Sequence, residues 1–337
     1  MFLVPGHATS WRHSHPELFS SGAAATCGRQ VDGAPAGVLR GALDPAKNST
    51  FVFIEALLTD YCDKESGAFA DEFVHLGADE VPTACWANPT DTAFIQKHGL
   101  NGTTGLFSYF VERVHAVAQG LGQRVIMWDA AFNKGSAPPP KDVVIQMWLQ
   151  YGGANTLMQE IVRAGYSAIA SPDVPWCKCT SNPHHNSSSR HIFRLLVFTD
   201  LNVVEPRDAT CNTQWQCMYN YDPRAGLKAE EASRVMGGEG CLWGETVDPS
   251  DIESTLWPRL AVIAERLWTG GQVSLEDPAG AAGMEQRLRA FRCLLLHRGF
   301  GAGPVGDAVG EPSVGVFQRL HGPPGPGSCA QDMNNTL

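Results

Sequence analysis

Between about residues 70 and 245, the sequence alternates short apolar runs of β type with longer amphipathic segments. The segment 105–121 is the clearest predicted helix, because its apolar residues recur at spacings of three and four. Strands that alternate with helices pair in parallel, so the pattern predicts either an open doubly wound sheet or a closed (β/α) barrel. The apolar runs are 72–76, 124–128, 143–148, 167–170 and 235–243.

The flanking regions depart from this alternation. Residues 255–268 and 284–297 have helical spacing, and the tail over 299–337 is rich in Gly and Pro, which predicts irregular structure. Residues 177–199 are polar and aperiodic where a short loop is expected, and we interpret them as an insert. We therefore expect one domain over residues 1–298, with an insert at 177–199, followed by an irregular tail.

Several of the apolar runs end in carboxylic acids or tryptophans: Asp79 and Glu80, Trp128, Trp148, and Trp243 with Glu245. Taken alone, the acid pair fits a solvated turn and each tryptophan fits a core position. In a barrel, however, the carboxyl ends of the strands converge on one cavity, and the repetition favours a shared pocket. Indole faces pack on the C–H face of a sugar while carboxylates bind its hydroxyls, so the pattern predicts a carbohydrate enzyme.

Charge and motifs exclude several other classes. The net charge of −10, without a basic run that interleaves with aromatics, argues against nucleic-acid binding. Neither a Gly-x-Ser-x-Gly elbow nor a glycine-rich phosphate loop is present, which disfavours α/β-hydrolases and nucleotide-binding proteins. No apolar stretch predicts a membrane span.

Ten cysteines and four N-glycosylation triplets favour an oxidising, exported context. The acceptor asparagines are Asn48, Asn101, Asn186 and Asn334. Yet residues 1–5 have neither the basic start nor the apolar core of a signal peptide. This combination leads us to expect that Met1 belongs to a fragment or to a misplaced start.

Cys177, Cys179, His184 and His185 form the one alternative that involves a metal. Their spacing is shorter than that of zinc sites, and no second pair has a matching spacing. We therefore expect neither a metal nor a cofactor.

Five segments resemble the signatures of β-N-acetylhexosaminidases, family 20 of the glycoside hydrolases: residues 75–81 (HLGADEV), 85–86 (CW), 237–245 (GGEGCLWGE), 256–259 (LWPR) and 264–268 (AERLW). The resemblance extends from about Val4 to Cys293. It implies a (β/α)8 barrel. It also implies an exo-acting glycan hydrolase that removes terminal β-linked N-acetylglucosamine or N-acetylgalactosamine with retention of configuration. In this family the substrate's own acetamido oxygen attacks the anomeric carbon.

The resemblance also implies roles for the acids. Glu80 would be the general acid, and Asp79 would accept the acetamido N–H and stabilise the oxazolinium intermediate. His7 matches a histidine that would support the acids, although a loop histidine without such a role is an equal alternative. His75 lies inside the strand, and we interpret it as structural.

The remaining candidates would shape the pocket. Trp128, Trp148 and Trp243 would surround the acetamido group and the sugar ring, and Glu245 would accept hydroxyl hydrogen bonds from the non-reducing end. Trp86 is assigned to packing beside a disulfide.

The chain departs from the family pattern in two places. The resemblance starts near the end of the third strand, which predicts a TIM-type barrel without its first two strands and most of the third. At the seventh strand, the family's Pro-Trp-Tyr-Leu-Asp is interrupted: Trp176 precedes Cys177, and an Asp-Leu pair returns only at Asp200, a candidate substrate-binding residue. No Tyr stands at this junction, and a retained intron or a splice variant over residues 177–199 would produce this pattern. In the family this Tyr donates to the acetamido oxygen, so we expect its absence to lower activity about a hundredfold or more. A non-catalytic or impaired sugar-binding relative is therefore the alternative function.

The family pattern further suggests the disulfides Cys27–Cys85 and Cys293–Cys329, and Cys211 with Cys217 would close a small loop. For the full-length protein the resemblance implies a lysosomal or secreted location and a possible homodimer.

Overall fold

The computed structural model describes residues 8–12, 14–20, 41–62, 67–68, 71–149, 155–172, 176–178, 215–242, 247 and 249–305. The chain divides into two compact units, Met1–Ala170 with Gly226–Met236 and Ser171–Ala225 with Gly237–Leu337. Nine of the candidate site, disulfide and glycosylation residues lie outside the described ranges, so the expectations for them stay predictions: His7, Cys27, Asn186, Asp200, Cys211, Trp243, Glu245, Cys329 and Asn334.

The strands follow the predicted alternation. They are β1 (Phe73–His75), β2 (Arg124–Trp128), β3 (Val144–Met147), β4 (Ala168–Ala170), β5 (Cys177–Lys178), β6 (Val235–Gly238) and β7 (Cys241–Leu242). Five of them form one sheet in the order β1-β2-β3-β4-β6, and the pairs from β1 to β4 are parallel. An α/β fold with a parallel sheet is therefore confirmed.

The run predicted over 235–243 contains two strands rather than one, and β7 pairs in parallel with β5. Gly240 lies between the two strands, and a Cβ at this position would stand 2.7 Å from Cδ1 of Ile263. The backbone thus approaches its neighbour too closely for a side chain. β5 itself comprises the first two residues of the predicted insert.

The helices are α1 (Asn48–Cys62), α2 (Pro89–Lys97), α3 (Gly102–Gly120), α4 (Ala130–Asn133), α5 (Thr156–Arg163), α6 (Trp215–Asn220), α7 (Ala229–Ala232), α8 (Ile252–Leu256), α9 (Arg259–Thr269) and α10 (Pro278–His297). The helix predicted at 105–121 is α3. The single helix expected at 255–268 is wrong, because it is divided into α8 and α9 at Pro258, which has no N–H to donate to a helical hydrogen bond.

The first unit has its core around β2 and β3. All four residues of β3 are buried, as are Val125 and Met127 of β2. Because successive side chains point to opposite faces, β3 is covered on both sides, as is typical of parallel sheets in α/β proteins. α3 packs against β2 and α1 through its buried apolar residues. No helix within the described ranges is both long and apolar enough to cross a membrane.

The chain leaves the strand conformation directly after β1. Gly77, Ala78 and Glu80 have φ values of 77°, 75° and 43°. Only Gly adopts the left-handed region without steric cost, so Ala78 and Glu80 are strained. Hydrogen bonds fix this turn: Leu76 N donates to Ile126 O, and Trp128 N donates to Gly77 O, at 2.9 and 2.8 Å.

A buried polar cluster lies at the start of α2. Asp91 is 0% exposed, and its carboxylate accepts hydrogen bonds from Ser20 Oγ at 2.7 Å and from the Asn88 side chain. Burial raises the pKa of Asp91 to about 6, and the neighbouring carboxylate of Asp44 adds to this effect. Asp44 is itself buried and has an ion pair with Lys47 at 3.4 Å. The cluster is therefore stable with Asp91 protonated.

The strain at Ala78 predicts an unusual tolerance of glycine. Ala78→Gly loses a buried methyl, about 0.8 kcal/mol, but relieves a left-handed conformation that costs about 1–2 kcal/mol. The free energy of unfolding, measured by urea denaturation, should therefore stay within about 1 kcal/mol of wild type or rise. Ala168→Gly in β4 is the matched control, because Ala168 is equally buried in regular strand conformation. It should lose about 1–2 kcal/mol; equal losses at the two positions would contradict the prediction.

The raised pKa of Asp91 predicts a pH-dependent stability. The folded-state value of about 6 lies above the ordinary 3.8, so stability from this group is complete below pH 3.8 and is lost as the pH rises to about 6. The slope reaches at most about 1.4 kcal/mol per pH unit. Asp91→Asn imitates the protonated acid and removes this slope.

The test compares melting temperatures from pH 4 to pH 7. Wild type should lose stability relative to Asp91→Asn as the pH rises through this range. Asp60→Asn, which removes an exposed carboxylate of α1, should follow the wild-type curve. Parallel curves for wild type and Asp91→Asn would refute the assignment.

Candidate active site

The two predicted acids occupy different environments although they are adjacent in sequence. Asp79 is only 8% exposed, whereas Glu80 is exposed to solvent. Strand β1 ends at His75, and the positive φ values of Gly77, Ala78 and Glu80 end its alternation of side chains around the acid pair. One buried and one accessible carboxylate therefore follow the end of the same strand.

His75, the last residue of β1, stabilises this turn. Its Nδ1 accepts a hydrogen bond from Gly77 N at 3.0 Å. Burial lowers the pKa of His75 to about 4, and the carboxylate of Asp79 opposes this shift only in part. The imidazole is thus neutral at mildly acidic pH, as an Nδ1 acceptor must be. The structural role predicted for His75 fits these contacts.

Trp128 is the last residue of β2, and Trp148 directly follows β3, so both lie at the same edge of the sheet as the acid pair. The ring of Trp128 lies 4.9 Å from that of His75 and 6.5 Å from that of Trp148, with an edge-to-face angle of 68° to the second indole. Trp128 is buried, whereas Trp148 is half-buried. The structure therefore brings four predicted site residues, Asp79, Glu80, Trp128 and Trp148, to the carboxyl edge of one sheet.

Asp129 is a site residue that the sequence analysis missed. Its carboxylate is fully buried, and Oδ2 accepts hydrogen bonds from the backbone N–H groups of Trp148 and Leu149 at 2.8 and 3.0 Å. Its position directly after Trp128 could have identified it from the sequence, because polar residues at the carboxyl ends of parallel barrel strands often belong to the active site.

Trp86 packs as predicted. It is fully buried, and its Nε1 donates to Leu43 O at 3.0 Å. Cys85, next to it, is disulfide-bonded, as are Cys217 and Cys293. The expected partners Cys27, Cys211 and Cys329 are outside the described ranges, so the pairings stay predictions.

In the second unit, Trp176 is anchored away from solvent. Its Nε1 donates to Met218 O at 2.8 Å, and its ring packs edge-on against Tyr221 at 4.9 Å. This satisfied indole precedes Cys177, the position where the family's tyrosine is missing. The described part of this unit therefore retains the tryptophan of the motif as a packing residue.

Metal ligation has no candidate in the described part of the chain, where no group of three or more His, Cys, Asp or Glu side chains could hold an ion. The side chains of Cys177, Cys179, His184 and His185 are not among those described. The strand ends described above bring the carboxylates of Asp79, Glu80 and Asp129 to the same edge as two indoles.

Two β-hexosaminidase chains are similar to this protein over most of its length. β-Hexosaminidase 3 of Arabidopsis thaliana is 31% identical over 328 residues, which are 97% of this chain and 49% of that protein. The α subunit of Mus musculus β-hexosaminidase is 31% identical over 309 residues, 90% of this chain and 49% of that subunit. The chain therefore spans about half the length of these relatives.

Solved structures show the same fold. A Flavobacterium johnsoniae chitobiase superposes with a TM-score of 0.63 at 25% identity, over 88% of this chain and 39% of its own. An exo-β-N-acetylglucosaminidase from Vibrio harveyi, solved with N-acetylglucosamine, gives a TM-score of 0.65 at 22% identity, over 90% of this chain and 43% of its own. The catalytic-domain model of glycosyl hydrolase family 20 matches residues 2–271. Because this match spans most of the chain, the protein belongs to glycosyl hydrolase family 20.

Proposed function

We propose that this protein is a retaining exo-β-N-acetylhexosaminidase that uses the substrate's acetamido group as its nucleophile. The observation that supports this most directly is the pair Asp79 and Glu80, which follows a strand end with one carboxylate buried and the other exposed. The neighbouring indoles of Trp128 and Trp148 provide the apolar surface that a sugar ring requires. Together they supply an acid, an acceptor for the acetamido N–H, and an apolar surface for the sugar ring.

In the first step, Glu80 donates its proton to the glycosidic oxygen as the bond from that oxygen to the anomeric carbon breaks. The acetamido oxygen forms the new bond to the anomeric carbon and gives an oxazolinium ion. Asp79 accepts the acetamido N–H, which orients the group and stabilises the positive charge as it develops. Binding this ion better than the neutral substrate is what lowers the barrier.

In the second step, Glu80, now a carboxylate, removes a proton from water. The water oxygen attacks the anomeric carbon, and the bond to the acetamido oxygen breaks, which regenerates the acetamido group. Two inversions at one carbon give net retention. No carboxylate of the protein has to act as nucleophile, so the two acids can be adjacent in sequence.

The same contacts support a substrate class. A terminal β-linked N-acetylglucosamine or N-acetylgalactosamine presents both the acetamido group and a C–H face to the indoles. The Vibrio harveyi neighbour, solved with N-acetylglucosamine, supports this choice. The resemblance alone supports the roles predicted for four residues outside the described ranges, Trp243, Glu245, His7 and Asp200.

The complete fold and the cellular location are also proposals. We assign the parallel sheet to a (β/α)8 barrel of TIM type, the fold that the resemblance implies. The disulfide-bonded Cys85 and Cys293, and the exposed acceptor asparagines Asn48 and Asn101, support an exported, glycosylated protein in the lysosome or outside the cell.

The general-acid role of Glu80 is tested with Glu80→Gln. We expect kcat on a 4-methylumbelliferyl N-acetyl-β-glucosaminide to fall by about 10²–10⁴-fold. The loss should shrink for a substrate with a more acidic leaving group, because such a group needs less protonation. Glu72→Gln, which removes an exposed carboxylate before β1, is the matched control and should retain wild-type activity. Binding of N-acetylglucosamine without any hydrolysis by wild type would instead support a sugar-binding protein.

Participation of the acetamido group is tested with Asp79→Asn and with modified substrates. Asp79→Asn should lower kcat by about 10²–10³-fold, since a neutral side chain stabilises the oxazolinium charge poorly. Successive fluorination of the acetyl methyl makes the carbonyl oxygen less nucleophilic and should lower the wild-type rate stepwise. A rate that is insensitive to fluorination would overturn the substrate-assisted mechanism.

A further inference from the structure

Asp129 provides an interaction that the proposed reaction itself does not use. A fully buried carboxylate is costly unless hydrogen bonds compensate for its lost hydration. Here a single oxygen, Oδ2, accepts from two consecutive backbone N–H groups, those of Trp148 and Leu149. A buried acid with this geometry constrains the backbone segment that it binds.

The contact begins where the parallel ladder ends. Trp128 and Gln146 are the last partners in the register of β2 and β3, and Asp129 N donates to Gln146 O at 2.9 Å. β3 then stops at Met147, and the next two N–H groups turn to the side chain of Asp129. The carboxylate thus takes the place of strand carbonyls and determines the direction of the chain after β3.

This geometry connects the two indoles. Asp129 is the next residue after Trp128, and it binds the backbone N–H of Trp148 itself. The ring centroids of Trp128 and Trp148 are 6.5 Å apart at 68°. A change in the position of this carboxylate would therefore shift one indole relative to the other.

We propose that Asp129 is a positioning residue that holds Trp148 at the angle and distance from Trp128 that the acetamido pocket requires. The inference rests on the proposed function, since these indoles are the surfaces that would confine the acetamido group for attack. Its role is mechanical rather than electrostatic: an oxygen acceptor must stand at this place, whether or not it is charged. Displacement of a reacting group by about 1 Å is enough to lower a rate about a hundredfold.

Three variants separate position from charge. Asp129→Asn keeps an oxygen that can accept both N–H groups, Asp129→Glu keeps the charge but moves it by one methylene, and Asp129→Leu removes the acceptor. Asp142→Asn and Asp142→Leu are matched controls. Asp142 lies just before β3 at its opposite end, and it also binds two groups, His115 and Gln119 at 3.0 and 2.7 Å.

We expect Asp129→Glu and Asp129→Leu to lower kcat about tenfold or more while KM changes less than about threefold. Asp129→Asn should stay within about threefold of wild type in both constants. Hydrogen exchange followed by mass spectrometry should show faster exchange in the peptide that contains Trp148 and Leu149. We expect this only for Asp129→Glu and Asp129→Leu. The Asp142 controls should change neither the exchange of that peptide nor the split between kcat and KM.

Two results would overturn the proposal: unchanged exchange at residues 148–149 in Asp129→Glu, or an Asp129→Asn variant as impaired as Asp129→Glu. If Asp129→Leu fails to fold, the Asn and Glu pair alone decides the question. Failure of the proposed function looks different, because wild type would then not hydrolyse the substrate. In that case, hydrogen exchange of the Asp129 variants would still test whether Asp129 holds Trp148 in place. Tryptophan fluorescence during titration of N-acetylglucosamine would accompany this measurement.

Discussion

The site depends on the hydrogen bonds at the carboxyl edge of the parallel sheet. Trp128 N donates to Gly77 O across the end of β1, and Asp129 N donates to Gln146 O across the end of β3. Each of these bonds joins one strand-end loop to the next strand, so the acid-bearing turn and the indoles share one ladder. Side chains continue that ladder where the backbone diverges, through His75 Nδ1 on one side and Asp129 Oδ2 on the other. Strand register therefore helps to determine where the acids and the indoles lie.

Two titratable side chains of the first unit, His75 and Asp91, give its stability opposite dependences on pH. Burial lowers the pKa of His75 to about 4, so its contribution to stability declines as the pH falls from 6.5 to about 4. Burial raises the pKa of Asp91 to about 6, so its contribution declines as the pH rises from 3.8 to about 6. Across the shared interval the two slopes oppose each other, and both side chains are uncharged in the folded state. The fold therefore keeps these groups neutral at mildly acidic pH.

The sequence predicted the features that depend on local pattern. The alternation of strands and helices predicted the parallel sheet, and the positions of the acids and tryptophans after the apolar runs predicted that they lie at one edge of it. It did not predict the break at Gly240, which depends on a side chain of α9 from a distant part of the sequence. Asp129 was missed for a similar reason: its importance appears only when the register places it opposite the end of β3.

The different exposure of Asp79 and Glu80 follows from backbone geometry and suits the two tasks proposed for them. A general acid must reach a leaving group of variable size and then water, so its carboxyl group has to be accessible, as that of Glu80 is. A carboxylate that stabilises a developing charge is most effective where water is excluded, and Asp79 is buried. In a regular strand the two side chains would point to opposite faces of the sheet, and only one could reach the substrate. The left-handed residues Ala78 and Glu80 remove that restriction, so the strain of the turn is the cost of placing two different carboxylates at one strand end.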